Sequence, residues 1–134
     1  MTDRLLVLLV CVSVGLALWG LYKVVRTRGK APERLDIDAL GLELMAGCCA
    51  FVVFTTPACK PCKAALRIVG EAAGRRPGLT EVTSVDAIQK AELATRFNVR
   101  TIPTVFLITA SGHVLKTWRK VPDPSEVDDA LEAV

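Results

Sequence analysis

Histidine is almost missing from this chain: His113 is the only one. It falls in a glycine-containing turn, reads as an exposed turn residue, and is given no catalytic role. No internal repeat or low-complexity tract occurs, which sets aside solenoids and compositionally disordered segments. A basic face interleaved with aromatics is also lacking, so no nucleic acid partner is expected. The five cysteines do not form a plausible four-ligand metal site. Cys48 and Cys49 precede a strand-like run and Cys59 and Cys62 follow it. About six strand residues at ~3.3 Å each hold the pairs about 20 Å apart. No metal and no cofactor is therefore expected. Cys48 and Cys49 read as buried apolar residues, and Cys11 as a small lipid-facing or packing residue.

Charge is missing from Leu5 to Tyr22, a run of Leu, Val, Ala, Gly, Cys, Ser and aromatics. Eighteen helical residues at ~1.5 Å each reach about 27 Å, close to the hydrocarbon thickness of a bilayer. Trp19 and Tyr22 lie near its C-terminal end, where aromatic rings favour the interface. A cleaved signal peptide is the alternative. However, no small-x-small cleavage site precedes Lys23, and the stretch before the span is only Met-Thr-Asp-Arg. A retained single-pass anchor is expected, with membrane contact through Leu5–Val25. The expected division is 1–25 membrane anchor, 26–48 basic linker and short lead-in, and 49–134 folded domain.

Net charge divides at the same place. Residues 1–30 carry five Lys/Arg against Asp3, whereas residues 31–134 carry twelve Lys/Arg against thirteen Asp/Glu. The basic character belongs to the membrane flank, and the folded part is close to neutral. Arg4 is the only Lys/Arg before the span, while Lys23, Arg26, Arg28, Lys30 and Arg34 follow it closely. Positive-inside counting then predicts that the domain faces the cytoplasm. The unpaired thiols of Cys48 and Cys49 suit that reducing compartment. An extracytoplasmic domain is the alternative, since a folded C-terminal domain can be translocated against such a bias.

The rest of the chain is organised around Phe51 to Cys62, Phe-Val-Val-Phe-Thr-Thr-Pro-Ala-Cys-Lys-Pro-Cys. The apolar run Phe51–Thr56 predicts a buried strand that stops at Pro57. Cys62, Leu66, Val69 and Ala73 recur at helical spacing, so a helix begins at Cys59 or Lys60 and runs to about Gly74. Cys59 then lies at the helix N-terminus, where free N–H groups and the positive dipole end favour a thiolate. Lys60 adds a nearby cation, and Pro61 occupies an early helical position at little cost. This placement makes Cys59 the attacking nucleophile and Cys62, about one turn later, the resolving thiol. A C-x-x-C spacing alone is weak, and two buried structural cysteines remain the alternative. The strand before and the helix after strengthen the redox reading.

Further elements follow in order. Thr27 to Pro32 reads as a basic linker, and Asp38 could cap a short helix. A second strand is expected over Leu79–Val85, ending at Asp86, then a helix over Ala87–Phe97 stopped at Asn98. Val99-Arg100-Thr101-Ile102-Pro103-Thr104 leads into a buried strand, with Pro103 where proline is allowed, at the strand's start. Residues 110–113 form a turn and Val114–Arg119 returns antiparallel. Asp123, Pro124 and Glu126 predict an N-cap, N1 and N3 opening a last helix with Val127, Ala130, Leu131 and Val134 on one face.

This order, with Cys59-Lys60-Pro61-Cys62, Val85-Asp86, Val99 to Thr104 and the Gly112 hairpin, resembles the thioredoxin family over roughly residues 49–134. The anchor resembles that of membrane-bound bacterial thioredoxin-like proteins. The resemblance implies an α/β fold with a mixed central sheet flanked by helices, behind one N-terminal transmembrane helix. It implies a cis-Pro103 facing the cysteines. Ile102 would offer its backbone to an extended substrate segment, with Thr101, Lys60 and Pro61 beside it. The implied partners are disulfide-containing or dithiol proteins and an upstream redox partner protein. The implied function is a membrane-anchored thiol–disulfide oxidoreductase acting as a reductase. A non-catalytic thioredoxin-like binding module, or an oxidase or isomerase, are the alternatives. Departures from the family pattern are Val53 where a buried Asp is usual, Val82 for its Lys partner, Ala58 for Trp, and Lys60 for Gly. Without that Asp, the Cys62 proton must leave to another acceptor such as water, which bears on the speed of turnover.

Overall fold

Residues 49–55 alternate side chains between two apolar surroundings, and that double burial is why the run lacks a polar face. In the structure, a computed structural model that describes residues 1–28 and 31–134, they form strand β1 (Cys49–Thr55). Phe51 and Val53 pack on one side with Ala65 and Val69, and Val52 and Phe54 on the other with Phe97 and Phe106. The expected strand began at Phe51. It begins at Cys49 because Cys49 and Ala50 already pair with neighbours on both sides.

The chain divides into two units, Met1–Lys30 and Ala31–Val134. The first contains helix α1 (Thr2–Arg28), long and apolar enough to cross a membrane over Thr2–Arg26, with no part of the span buried. Its one central hydroxyl is satisfied locally, Ser13 Oγ donating to the Val10 carbonyl at 2.9 Å. Lys23 Nζ lies 5.2 Å from the Trp19 ring centroid, a cation–π contact near the charged end of the span. Part of the basic linker expected over Thr27 to Pro32 lies outside the described residues.

The second unit is a three-layer arrangement. Helix α2 (Ile37–Leu40) comes first; then β1, α3 (Lys60–Gly74), β2 (Thr80–Asp86) and α4 (Ala91–Arg96). Strands β3 (Thr104–Thr109) and β4 (Val114–Trp118) and helix α5 (Pro124–Glu132) complete it. The sheet order is β2-β1-β3-β4. β2 runs parallel to β1, β3 runs antiparallel to β1, and β4 runs antiparallel to β3. Helices α3 and α5 contribute Ala65, Val69, Ala72, Val127 and Leu131 to one face of the sheet. The opposite face is closed by Leu35 and Leu40 with Ala94 and Phe97. There Phe54 meets Phe97 and Phe106 edge-on, with centroids 6.3 and 5.9 Å apart, a favoured aromatic geometry.

Several boundaries differ from expectation for local reasons. Asp36, not Asp38, caps α2, accepting from the Ala39 N–H at 3.2 Å. Helix α4 begins at Ala91 instead of Ala87. Asp86 Oδ1 accepts from the amides of Ile88 and Gln89 and folds 87–90 into a turn first. Asn98 does end that segment, in the left-handed region at φ 56°. Gly112 is needed where it stands: its φ is +85°, and a Cβ there would lie 2.4 Å from the Leu35 carbonyl oxygen. That close approach joins the lead-in to the β3–β4 turn, with Leu35 N–H donating to Gly112 O at 2.8 Å.

The start of α5 carries a prediction. Asp123 Oδ1 accepts from the Ser125 amide and hydroxyl at 2.9 and 2.7 Å. The N3 carboxylate of Glu126 accepts from Trp118 Nε1 at 3.1 Å, so it ties the helix to β4. The Ser125 hydroxyl and then its amide hold the Asp123 carboxyl below its ordinary value. A depressed folded value means stability that is present above the unfolded value and is lost as pH falls through the folded one. Melting temperatures measured downward from about pH 4 should therefore fall less steeply in Asp123→Asn, which caps without titrating. Identical acid limbs in both proteins would refute this role.

Candidate active site

The register of the sheet decides which loops meet. Phe54 pairs with Thr104 across antiparallel β1 and β3, so the chain leaving β1 and the chain entering β3 emerge at the same sheet end. The first leads to Cys59 and the second comes from Pro103. Parallel β2 ends there too, Thr55 pairing with Asp86 and its carbonyl accepting from the Ala87 N–H at 2.9 Å.

Cys59 is the N-cap residue of α3, with extended φ −87° and ψ 107°. Its Sγ accepts from the Cys62 N–H at 3.2 Å, taking the place of a Ser or Asp oxygen at a helix start. One helical turn brings the two Cα atoms to 5.4 Å, and Cys59 and Cys62 are joined in a disulfide. Their surroundings are unequal. Cys62 is 2% exposed and faces the core, whereas Cys59 is half-buried at the helix tip, with Lys60 and Pro61 exposed beside it. The sulfur that a second molecule can reach is therefore that of Cys59.

The Ile102–Pro103 peptide bond is cis. Pro103 is buried, Ile102 packs against the face of the sheet that holds Phe54, and Thr101 is exposed. The buried Thr104 hydroxyl donates to the Thr101 carbonyl at 2.6 Å, and the Thr101 hydroxyl donates to the Arg119 carbonyl at 3.4 Å. Among the described residues, no backbone hydrogen bond engages the N–H or C=O of Ile102. Ile102 thus has its backbone donor, in the peptide before it, and its acceptor, in the peptide to Pro103, both unused, which is what an added extended segment requires.

The positioning roles of Thr104 and Arg119 were not anticipated. Thr104 was legible in principle, since a hydroxyl opening a strand can bond back three residues. The Arg119 carbonyl is set by tertiary geometry alone. Val53 is fully buried. Its partner on β2 is Ser84, and Val82 lies opposite Phe51 on the exposed edge. Among the described residues, the buried polar side chains are Thr80 and Thr104, so no buried carboxylate stands behind the cysteines.

The remaining cysteines lie elsewhere. Cys49 is buried at the far end of β1, its Sγ 3.5 Å from Thr80 Oγ1. Cys48 was expected to be buried but is half-buried, its thiol donating to the Gly78 carbonyl at 3.5 Å, because it precedes the strand in an open turn. Cys11 is exposed on α1.

The thioredoxin family model matches residues 45–130. A curated thioredoxin of Methanocaldococcus jannaschii is 31% identical over 55 residues, covering 41% of this chain and 65% of that protein. The match therefore spans a little under two thirds of that relative. Two solved structures share the fold. One, described as a malarial protein, has a TM-score of 0.58 at 15% identity, over 64% of this chain and 96% of its own. The other, described as thioredoxin-2, a component of malaria parasite protein secretion machinery, has a TM-score of 0.61 at 15% identity, over 68% and 87%. With the family match spanning β1 to α5, the chain belongs to the thioredoxin family.

Proposed function

We propose that this chain is a membrane-anchored thiol–disulfide oxidoreductase that reduces protein disulfides through Cys59 and Cys62. The observation that carries the reading is the unequal placement of the bonded cysteines, one accessible at a helix N-terminus and one buried behind it. In the reduced protein the Cys59 thiolate attacks one sulfur of a substrate disulfide, and the other sulfur leaves as a thiolate that takes up a proton. The Cys62 thiol then loses its proton and attacks Cys59 Sγ. This releases the second substrate thiolate and closes the Cys59–Cys62 bond, two electrons having passed to the substrate. Pro103 closes the floor of the site without a backbone donor, and Ile102 with Thr101 pairs with the substrate's extended chain. An upstream dithiol protein restores the reduced pair.

Mixing the reduced full chain with a protein disulfide tests this: thiol labelling should show two substrate thiols appearing as Cys59 and Cys62 disappear. Equilibration with glutathione gives the direction. A potential near that of thioredoxin, about −270 mV, supports a reductase, whereas one above about −180 mV would reassign it as an oxidase or isomerase.

Helix α1 serves as the anchor in this reading, and the excess of Lys/Arg after it supports a domain on the cytoplasmic side. Intact cells producing a variant with its natural cysteines replaced and Ser111→Cys added should resist a membrane-impermeant maleimide until lysed. Strong labelling before lysis would place the domain outside.

A further inference from the structure

Charge is unevenly distributed over residues 31–134, although their sum is close to zero. Lys60 and Lys63 stand on the first turn of α3, Arg100 on the loop before Pro103, and Arg119 directly after β4; all four are exposed. The register that joins β1 to β3 puts the first two loops at one sheet end, and the bond from Thr101 to the Arg119 carbonyl brings the third to it. The ion pairs Arg75–Asp128 and Arg96–Asp36 use none of the four. Arg100 Nε donates to the neutral Asn98 Oδ1 at 3.0 Å, which orients the guanidinium without cancelling its charge.

Carboxylates stand at this end as well, and the neutral groups that bond them leave their charge in place. With Lys90 and Lys120 the exposed cations still outnumber Asp86, Glu92, Asp123 and Glu126. Asp86 accepts from the Ile88 and Gln89 amides, Asp123 from Ser125, and Glu126 from Trp118. Lys120 lies close enough to Asp123 to act on its carboxyl. Glu71, Asp128, Asp129 and Glu132 fall in the later turns of α3 and α5, away from the cysteines.

We propose that the natural partner presents its reactive cysteine in an acidic segment, with Asp or Glu flanking the sulfur, and that the four cations steer and seat it. This rests on the exchange reaction proposed above and names its substrate class. A rim with an excess of one sign raises encounter rates with partners of the opposite sign and disfavours partners of its own. The chemistry at Cys59 would be the same for any disulfide; the rim supplies the choice.

The test uses two synthetic peptides, each with one cysteine joined to 2-mercaptoethanol by a disulfide, flanked by Asp in one and by Lys in the other. The reduced full chain is held in uncharged detergent, and single-turnover rates are taken at about 0.01 M and about 1 M salt, where the Debye length is ~30 Å and ~3 Å. The Asp:Lys rate ratio should fall at least about tenfold between the two salts. Arg100→Glu with Arg119→Glu should lower the same ratio at low salt by a similar factor; comparing ratios cancels the peptides' intrinsic reactivities. A ratio indifferent to both salt and charge reversal overturns the acidic-partner inference and leaves the exchange reaction standing. Exchange with neither peptide, when dithiothreitol cleaves both, overturns the two together. If the double variant fails to fold, the salt dependence of the natural chain decides alone.

Discussion

Cys59→Ser should abolish disulfide exchange, and Cys62→Ser should turn the protein into a trap that holds its substrate on Cys59. The two losses differ because the sulfurs differ in access and in electrostatics. Cys59 caps α3, where the Cys62 N–H already donates to its Sγ, and a helix N-terminus favours the charged form of a thiol. Cys62 is almost wholly enclosed, so a large disulfide cannot reach it. Iodoacetamide near neutral pH should modify Cys59 in Cys62→Ser on the order of tenfold or more faster than Cys62 in Cys59→Ser. Peptide mass mapping separates these sites from Cys11, Cys48 and Cys49, so the other thiols can stay. After mixing with a protein disulfide, non-reducing gels should show a stable adduct for Cys62→Ser and none for Cys59→Ser. Equal, slow alkylation in both variants would overturn the nucleophile assignment.

How much of this was legible in the residues depends on which forces wrote each element. Strand β1 was visible because both of its sides are buried, which forces an unbroken apolar run between Gly47 and Pro57. The entry into α3 was visible because Cys59 and Pro61 satisfy the demands of a helix start within three residues. Strand β3 announced itself through Pro103 and five apolar or β-branched residues after it. The start of α4 was hidden because Ala87 continues the apolar pattern, while the competing Asp86 turn is a matter of one carboxylate reaching two amides. Choosing between Asp36 and Asp38 as a cap needed the burial of Leu40 and Leu35, which is long-range information. At the site, the sulfurs and Pro103 were apparent from local pattern. Their shared sheet end follows from the pairing of Phe54 with Thr104, and no local rule supplies that pairing.

The largest expected effect away from the cysteines is at Val53, where the family usually places a buried Asp. The side chain is fully buried on the face packed by Ala65 and Val69, with no buried carboxylate near it among the described residues. Val53→Asp should cost about 3 kcal/mol or more, because a carboxyl enters a site with no charged partner. For a domain of this size that is roughly 4–8 °C of melting temperature per kcal/mol. Desolvation raises the folded value of such a carboxyl above its unfolded value. The sign is then opposite to that at Asp123: the variant's deficit is small in acid and grows as pH rises from about 4 toward the raised folded value. The same carboxylate would stand on the side of the sheet that α3 covers, able to take the Cys62 proton directly or through a water. Release of a preformed mixed disulfide on Cys59 should therefore be faster in Val53→Asp than in the natural chain, and its rate should follow the new group's titration. Val53→Asn controls for polarity: it should destabilise the fold without accelerating release, since an amide cannot accept and hold the proton. If folded Val53→Asp releases substrate no faster than Val53→Asn, proton removal from Cys62 does not limit the reaction. The apolar residue at this position would then be a feature of the core alone.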